Sequence, residues 1–277
     1  MTFAVIGHPI GHTMSPFIHN HLFKLSGKQA TYYKYDIHPN DLAEQYKSTL
    51  KNFDGFNITI PHKQAIIPLL KGVDESAQLY GAVNCVDKEG VGYNTDAFGF
   101  CNALSKKGIS LEGKVLLLGS GGAARTIAFE AVKAGCDLTL AARGISGVAL
   151  KTEIADKLGK QIKVVHFDEV KGGYDLVVNA TPVGMYPNTD ASPLCANQLD
   201  GCKTLFDAVY NPRKTRLMEL AESRNMKIAE GMAMLVWQAV RAHEIWYGAK
   251  FVDSDIDKLI DDANAEMVAL FGGKQNG

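Results

Sequence analysis

The chain has 277 residues, 46% of them hydrophobic and 21% charged, with a formal net charge of −1. That balance suits a globular fold of two ordinary domains rather than a disordered chain. With no long run of like charge, it argues against nucleic acid or a membrane surface as partner and leaves a small molecule, held by a local cluster of donors. Met1–Ile6 lacks the basic segment and apolar length of a secretory signal, so none is expected, and the apolar runs fall short of a membrane span. The five cysteines, Cys85, Cys101, Cys136, Cys195 and Cys202, form no CxxC pair and are odd in number, which reads as reduced thiols in a cytoplasmic protein.

In chain order, Phe3–Ile6 reads as a strand and Pro16–Leu25 as a helix with proline in its first turn. Thr31–Ile37 reads as a strand, Asp41–Leu50 as a helix, and Phe56–Ile60 as a strand followed by Pro61 and a helix to Leu70. Val91–Tyr93 and Asp96–Lys106 give a further strand and helix. This alternation predicts an α/β fold with a mostly parallel sheet. Past a glycine-bounded break at Gly108–Gly113, Lys114–Leu118 is a continuously apolar strand, as expected where both faces are covered. A glycine-rich turn follows, then a helix over Arg125–Ala134 and strands at Asp137–Ala142, Lys163–His166, Asp175–Asn179 and Thr204–Asp207. Pro182–Pro193 reads as a functional loop. Met232–Tyr247 and Ser254–Leu270 read as helices, with Ser254 as N-cap and both Trp237 and Trp246 in the core.

Gly119-x-Gly121-x-x-Ala124 follows a strand and opens a helix, the context in which such a string signals a dinucleotide turn. Gly119 permits the tight turn, Gly121 lets backbone approach a pyrophosphate, and Ala124 lets the helix pack closely on the strand. Free amides at the helix start then face the anion; Ser120, Gly122 and Ala123 complete that cradle. At the end of the next strand, Ala141-Ala142-Arg143-Gly144 offers no carboxylate for a ribose 2′-hydroxyl, whereas Arg143 suits a 2′-phosphate. This favours NADP, with NAD as a secondary cofactor.

Two polar strings carry the chemistry. In Asn57-Ile-Thr59-Ile-Pro61-His62-Lys63, Asn57 and Thr59 share one face of a strand and Lys63 sits on the following turn, with His62 expected to be exposed beside it. Asn94-Thr95-Asp96 lies where a strand leads into a helix, so Asp96 is also a natural helix cap. Taken alone, Lys63 is a solvated lysine; beside the other strings it reads as part of a site at the strand ends.

These strings, with Gly7-His-Pro9-Ile-Gly-His12-Thr13-Met-Ser15-Pro16, Gly81-Ala-Val-Asn84, Asn179-Ala-Thr181-Pro-Val-Gly184-Met185, Asp207-Ala-Val-Tyr210-Asn-Pro212 and Gly231-Met-Ala-Met-Leu-Val-Trp-Gln238, together resemble the shikimate dehydrogenase family over essentially the whole chain. The resemblance implies NADPH-dependent reduction of 3-dehydroshikimate to shikimate. It makes Lys63 and Asp96 the catalytic pair and assigns the substrate carboxylate to Thr13 and Ser15. The ring hydroxyls fall to Thr59, Asn84, Asp96 and Gln238, with Asn57 beside them and Tyr210 near both substrate and nicotinamide. Thr181, Ala208 and Gly231 join the cofactor set. It also implies a substrate domain over residues 1–102, a Rossmann domain over 103–231, C-terminal helices over 232–277 that complete the first domain, and an active site in the cleft between domains.

The chain departs from the family pattern at Thr13, where serine is usual, at Ala142 and Gly144, where polar residues usually flank the arginine, and at Cys85, where threonine is common. Thr13 and the Ala142/Gly144 pair keep open a quinate/shikimate dehydrogenase using both NAD and NADP, whereas Cys85 reads as a packing substitution. A non-catalytic metabolite sensor ranks lower, because Lys63 and Asp96 are both present. His8, His12, His19 and His21 cluster in sequence, but no carboxylate or cysteine joins them at ligand spacing, and no metal is expected. Monomer and homodimer are equally compatible with the sequence.

Overall fold

A computed structural model describes residues 1–11 and 13–271; His12 lies outside the described residues. Two compact units divide the chain: Met1–Gly99 with Leu235–Ala263, and Phe100–Met234 with the residues from Asn264 onward.

The first unit runs β1 (Thr2–Gly7), α1 (Ser15–Leu25), β2 (Thr31–Asp36), α2 (Leu42–Ser48), β3 (Gly55–Ile58), α3 (His62–Ala65), β4 (Gly72–Val73), α4 (Glu75–Tyr80), β5 (Cys85–Asp87) and β6 (Val91–Tyr93), and α5 (Asp96–Lys106) begins in it. The strand order is β2-β1-β3-β5-β6-β4. The pairings β1–β2, β1–β3 and β4–β6 are parallel, but β3–β5 and β5–β6 are antiparallel, so this sheet is mixed. The cause is local. β5 and β6 are joined by a short turn in which Gly90 takes φ +80°, and a tight turn can only return the chain antiparallel. Alternate residues of β1 enter two cores: Ala4 and Ile6 pack with Phe56 and Ile58, while Phe3 and Val5 pack with Phe23 and Trp246. Truncating so buried a ring as Phe56 to alanine costs about 3–5 kcal/mol.

The helix expected from Pro61 to Leu70 is instead one turn, α3, followed by a 3-10 turn at Ile67–Leu69. Pro68 has no N–H to continue the ladder and its ring crowds the preceding turn.

The second unit holds β7 (Lys114–Leu118), α6 (Gly122–Lys133), β8 (Asp137–Ala141), α7 (Ser146–Leu158), β9 (Lys163–Val165), β10 (Leu176–Asn179), β11 (Thr204–Asp207), α8 (Arg216–Glu222) and β12 (Lys227–Glu230). Its order, β12-β11-β10-β7-β8-β9, is parallel throughout. Numbered within the unit this is 3-2-1-4-5-6, the dinucleotide-binding order, with its switch point between β7 and β10. Leu116, Leu118, Val177 and Leu205 fill one core of this sheet.

The chain leaves the second unit within α9 (Gly231–Tyr247), and the last described element is α10 (Asp253–Phe271). Trp237 and Trp246 are buried, as their sequence positions predict. Ser254 is not a cap, because α10 already begins at Asp253. No helix among the described residues is long and apolar enough to cross a membrane.

Candidate active site

In the first unit the polar strings converge where strands end. Lys63, on the turn after β3, places Nζ 2.6 Å from Asp96 Oδ2, with side chains only 15% and 7% exposed. Asn84, just before β5, donates from Nδ2 to the other carboxylate oxygen, Asp96 Oδ1, at 2.8 Å. The carboxylate thus has a donor on each oxygen, which offsets much of the cost of burying its charge.

The orientation of Asp96 is set from the backbone as well. Its amide donates to Asn94 Oδ1 at 3.0 Å, while Asn94 Nδ2 donates to the Ala82 carbonyl at 2.9 Å. α5 begins at Asp96 itself, and the Gly99 amide donates to the Thr95 carbonyl, so the cap position falls on Thr95 rather than Asp96. Asn84 is also held: its Oδ1 accepts from the Thr95 amide at 2.7 Å. The Thr95 hydroxyl accepts from Asn84 Nδ2 at 2.9 Å and lies 3.4 Å from Gln238 Oε1 on α9. Gln238 thereby joins the cluster from a distant part of the chain.

Asn57 on β3 is 5% exposed; Tyr32 donates to its Oδ1 at 2.7 Å and its Nδ2 donates to the Asn84 carbonyl at 3.2 Å. Thr59 follows β3 and packs against Gly7, where an added Cβ would sit 2.5 Å from its methyl group. Thr13 and Ser15 pair at the start of α1: the Thr13 hydroxyl lies 3.0 Å from Ser15 Oγ and accepts from the Ser15 amide at 3.2 Å. His62 is not exposed. It is fully buried, its Nε2 2.7 Å from the Ile37 carbonyl, and desolvation lowers its pKa, so it is a neutral group that ties the start of α3 to the chain just past β2. Cys85 is fully buried and burial pushes its thiol well up, the behaviour of a small apolar residue.

In the second unit, Gly119 takes φ +100°, and a Cβ there would meet the Thr181 methyl at 2.9 Å and the Ala180 carbonyl oxygen at 3.1 Å. This close approach joins the turn after β7 to the end of β10 at the switch point. Gly121 caps α6 with no side-chain hydrogen bond, and a Cβ on it would meet nothing within 4 Å. Gly121 is exposed, and the first turn of α6 that follows it carries backbone amides with no intrahelical partner, the kind of donor a pyrophosphate needs. Arg143, exposed just past β8, has no carboxylate partner among the described residues. Ser120 donates to Ser146 Oγ at 2.8 Å, and Ser146 donates to the Arg143 carbonyl at 3.1 Å, which ties the two turns together. These residues fit a phosphorylated dinucleotide.

Ala208 and Gly231 are in contact: a Cβ on Gly231 would collide with the Ala208 carbonyl oxygen. The Ala208 amide donates to the Asn179 carbonyl at 2.9 Å, and the neighbouring Asp207 accepts from Asn179 Nδ2, the Val209 amide and the Thr215 hydroxyl. Burial nevertheless outweighs those donors and raises Asp207 to about 6. Tyr210, half-buried beyond β11, has its phenol pushed up to about 12 by burial and is neutral. Among the described residues no group of three or more His, Cys, Asp or Glu side chains converges to hold a metal.

The sequence motifs contain Asn94, Thr95 and Asp207 without assigning them a role, and they do not contain Tyr32 or Ser146. Asn94 and Thr95 had a signal, since they sit beside Asp96 in one string; Tyr32 and Ser146 had none.

Residues 5–86 match the family model described as the shikimate dehydrogenase substrate binding domain. The chain is 38% identical over 258 residues to the shikimate dehydrogenase (NADP(+)) of Methanocaldococcus jannaschii, covering 89% of this chain and 91% of that one. It is 40% identical over 256 residues to the enzyme of the same name from Nitrosopumilus maritimus, covering 89% and 93%. It superimposes on the crystal structure of shikimate 5-dehydrogenase from Thermus thermophilus, in complex with NADP(H) and shikimate, with a TM-score of 0.85 at 35% identity, covering 95% of this chain and 99% of that one. With this identity over nearly full length, on a fold that carries the lysine–aspartate pair and the dinucleotide turn, the chain belongs to the shikimate dehydrogenase family.

Proposed function

We infer that this protein is an NADP-dependent shikimate dehydrogenase, reducing the ketone of 3-dehydroshikimate to shikimate in the biosynthesis of aromatic amino acids. The observation that carries the reading is the buried Lys63–Asp96 pair with Asn84 on the second carboxylate oxygen.

NADPH, when bound, supplies the hydride. The chain's task is to hold the substrate and manage one proton. Thr13 and Ser15 present hydroxyls to the substrate carboxylate. Thr59, Asn84, Asp96 and Gln238 hold the ring hydroxyls, and Asn57 braces Asn84. The Lys63 ammonium faces the carbonyl oxygen, stabilises negative charge as it develops there, and delivers the proton that turns it into a hydroxyl. Asp96 keeps Lys63 in place; in the oxidative direction the same pair recovers the proton. In the second unit Gly119–Ala123 receive the pyrophosphate, with Thr181, Ala208 and Gly231 along the same groove. Arg143 receives the 2′-phosphate. Tyr210 is a neutral hydroxyl beside the reacting groups.

The five cysteines are unpaired, which fits a reducing, cytoplasmic compartment. A second reading, a quinate/shikimate dehydrogenase accepting NAD, is favoured by one observation: Ala142 and Gly144 leave Arg143 without polar side chains on either neighbour. Comparing kcat/KM for shikimate and quinate with each cofactor separates the two.

A further inference from the structure

Behind the proposed substrate site lies a polar assembly that the reaction does not use. His19 on α1 and His243 on α9 are both 0% exposed, and His19 Nδ1 lies 2.9 Å from His243 Nε2. His243 Nδ1 faces the Tyr247 hydroxyl at 2.5 Å, and that hydroxyl lies 3.0 Å from Ser26 Oγ. Ser26 donates in turn to the Leu22 carbonyl at 2.9 Å.

Only one placement of the two imidazole protons leaves no ring donor orphaned. His19 Nε2 has no partner among the described residues, so a proton there would be a buried, unsatisfied donor. The proton therefore sits on His19 Nδ1 and is donated to His243 Nε2. His243 then donates from Nδ1 to Tyr247, Tyr247 to Ser26, and Ser26 to the Leu22 carbonyl. The chain is neutral and runs one way from α1 to α9 and back to α1.

Its position gives it a consequence for the site. Ser15 and His19 are one turn apart and share the buried face of α1. Gln238 and His243 are both buried on α9. The other face of His19 stacks on Tyr32, with ring centroids 4.2 Å apart at 7°, and Tyr32 donates to Asn57. Apolar packing alone tolerates small rotations and slips between helices. A directional hydrogen bond between two flat rings does not.

We propose that His19 and His243 are positioning residues for the substrate, a hydrogen-bonded bolt that fixes the helix carrying Ser15 against the helix carrying Gln238. The bolt sets the spacing between the hydroxyls that take the substrate carboxylate and the amide that takes a ring hydroxyl. This rests on the functional reading above and deepens it. It predicts that the bolt acts on shikimate binding and leaves the proton-transfer pair and the dinucleotide turn alone.

The test is steady-state kinetics with shikimate and NADP, together with fluorescence titration of NADPH, on wild type, His243→Phe, His243→Gln and Tyr247→Phe. Phenylalanine keeps the ring volume and cuts the bond. Glutamine places an oxygen where Nε2 was. Tyr247→Phe breaks the chain one link later and leaves both imidazoles, so it reports even if His243→Phe fails to fold. His243→Phe should raise KM for shikimate about five- to tenfold, the worth of a hydrogen bond lost with a donor left buried, with kcat within about twofold and NADPH affinity unchanged. His243→Gln should recover most of that KM, and Tyr247→Phe should shift it in the same direction as His243→Phe. Wild-type KM in folded Tyr247→Phe, or His243→Gln no better than His243→Phe, overturns the proposal and leaves a purely packing role. A wild-type protein that does not turn over shikimate overturns the functional reading itself, and the bolt's role with it.

Discussion

Asp96 is gripped on both oxygens, by Lys63 Nζ at 2.6 Å and by Asn84 Nδ2 at 2.8 Å. The two donors differ in kind. Lys63 is a cation with a transferable proton; Asn84 is a neutral amide whose own oxygen is held by the Thr95 amide. The carboxylate is therefore fixed by one partner and left to work with the other.

Lys63→Ala removes the proposed proton donor and the charge proposed to meet the developing alkoxide. We expect kcat to fall about 10²–10⁴-fold with KM for shikimate little changed, the pattern of a group acting chiefly in the transition state. Steady-state kinetics at saturating NADP measures it; a main effect on KM would count against the role.

Arg143→Ala removes the cation assigned to the 2′-phosphate. The Kd for NADPH should rise about 10–100-fold, the range for a lost charge-assisted hydrogen bond, while the Kd for NADH stays close to wild type. Fluorescence titration with each nucleotide reads this directly, and equal losses for both would show that Arg143 does not read the phosphate.

Gly231→Ala drives a methyl group into the Ala208 carbonyl oxygen and places it 2.9 Å from that of Asp207. Backbone must move, at a cost of about 1–3 kcal/mol. Thermal denaturation should show a lower Tm, and NADPH affinity should drop with it. A variant with wild-type Tm and affinity would mean that this contact relaxes freely.

Acid should destabilise the protein through its buried histidines. Desolvation lowers His243 from 6.5 to about 3, and His19 is also held well below 6.5, first by burial and then by the charge His243 would carry. A histidine whose folded pKa is depressed binds its proton more readily when unfolded, so stability falls as pH drops below 6.5. Each contributes about 1.4 kcal/mol per pH unit. Asp207, raised to about 6, acts in the opposite sense between its ordinary 3.8 and that value, because there the folded state holds the extra proton. Two histidines outweigh one aspartate, so the urea midpoint should fall between pH 6.5 and 5. The His19→Phe/His243→Phe double variant should show a shallower fall, and parallel curves would contradict the assignment.

What could be read from sequence was whatever lay close together along the chain. The turn Gly119–Ala124 announced itself because strand, glycines and helix are contiguous. Lys63 and Asp96 stood out because each lies in a polar string at a strand end. β5, and with it the antiparallel pairing to the Val91–Tyr93 strand, was hidden because a strand so short carries little periodicity, and α7 because only Leu150, Ile154 and Gly147 of its face are buried. The His19–His243 contact joins residues 224 positions apart, and no local pattern encodes such a pairing. His62 misled for a related reason: it sits beside Lys63 in sequence, but its hydrogen-bond partner, the Ile37 carbonyl just past β2, is 25 residues away.

The most direct test is absorbance at the reduced-nicotinamide band, with purified protein and shikimate, run in parallel with NADP and NAD and then repeated with quinate in place of shikimate. NADP should be reduced rapidly with shikimate, with much slower turnover in the other three pairings. Comparable rates with quinate or NAD would contradict the narrow assignment and move the protein to the broader quinate/shikimate class. No turnover in any pairing, from folded protein that still binds NADPH, would contradict the dehydrogenase reading altogether.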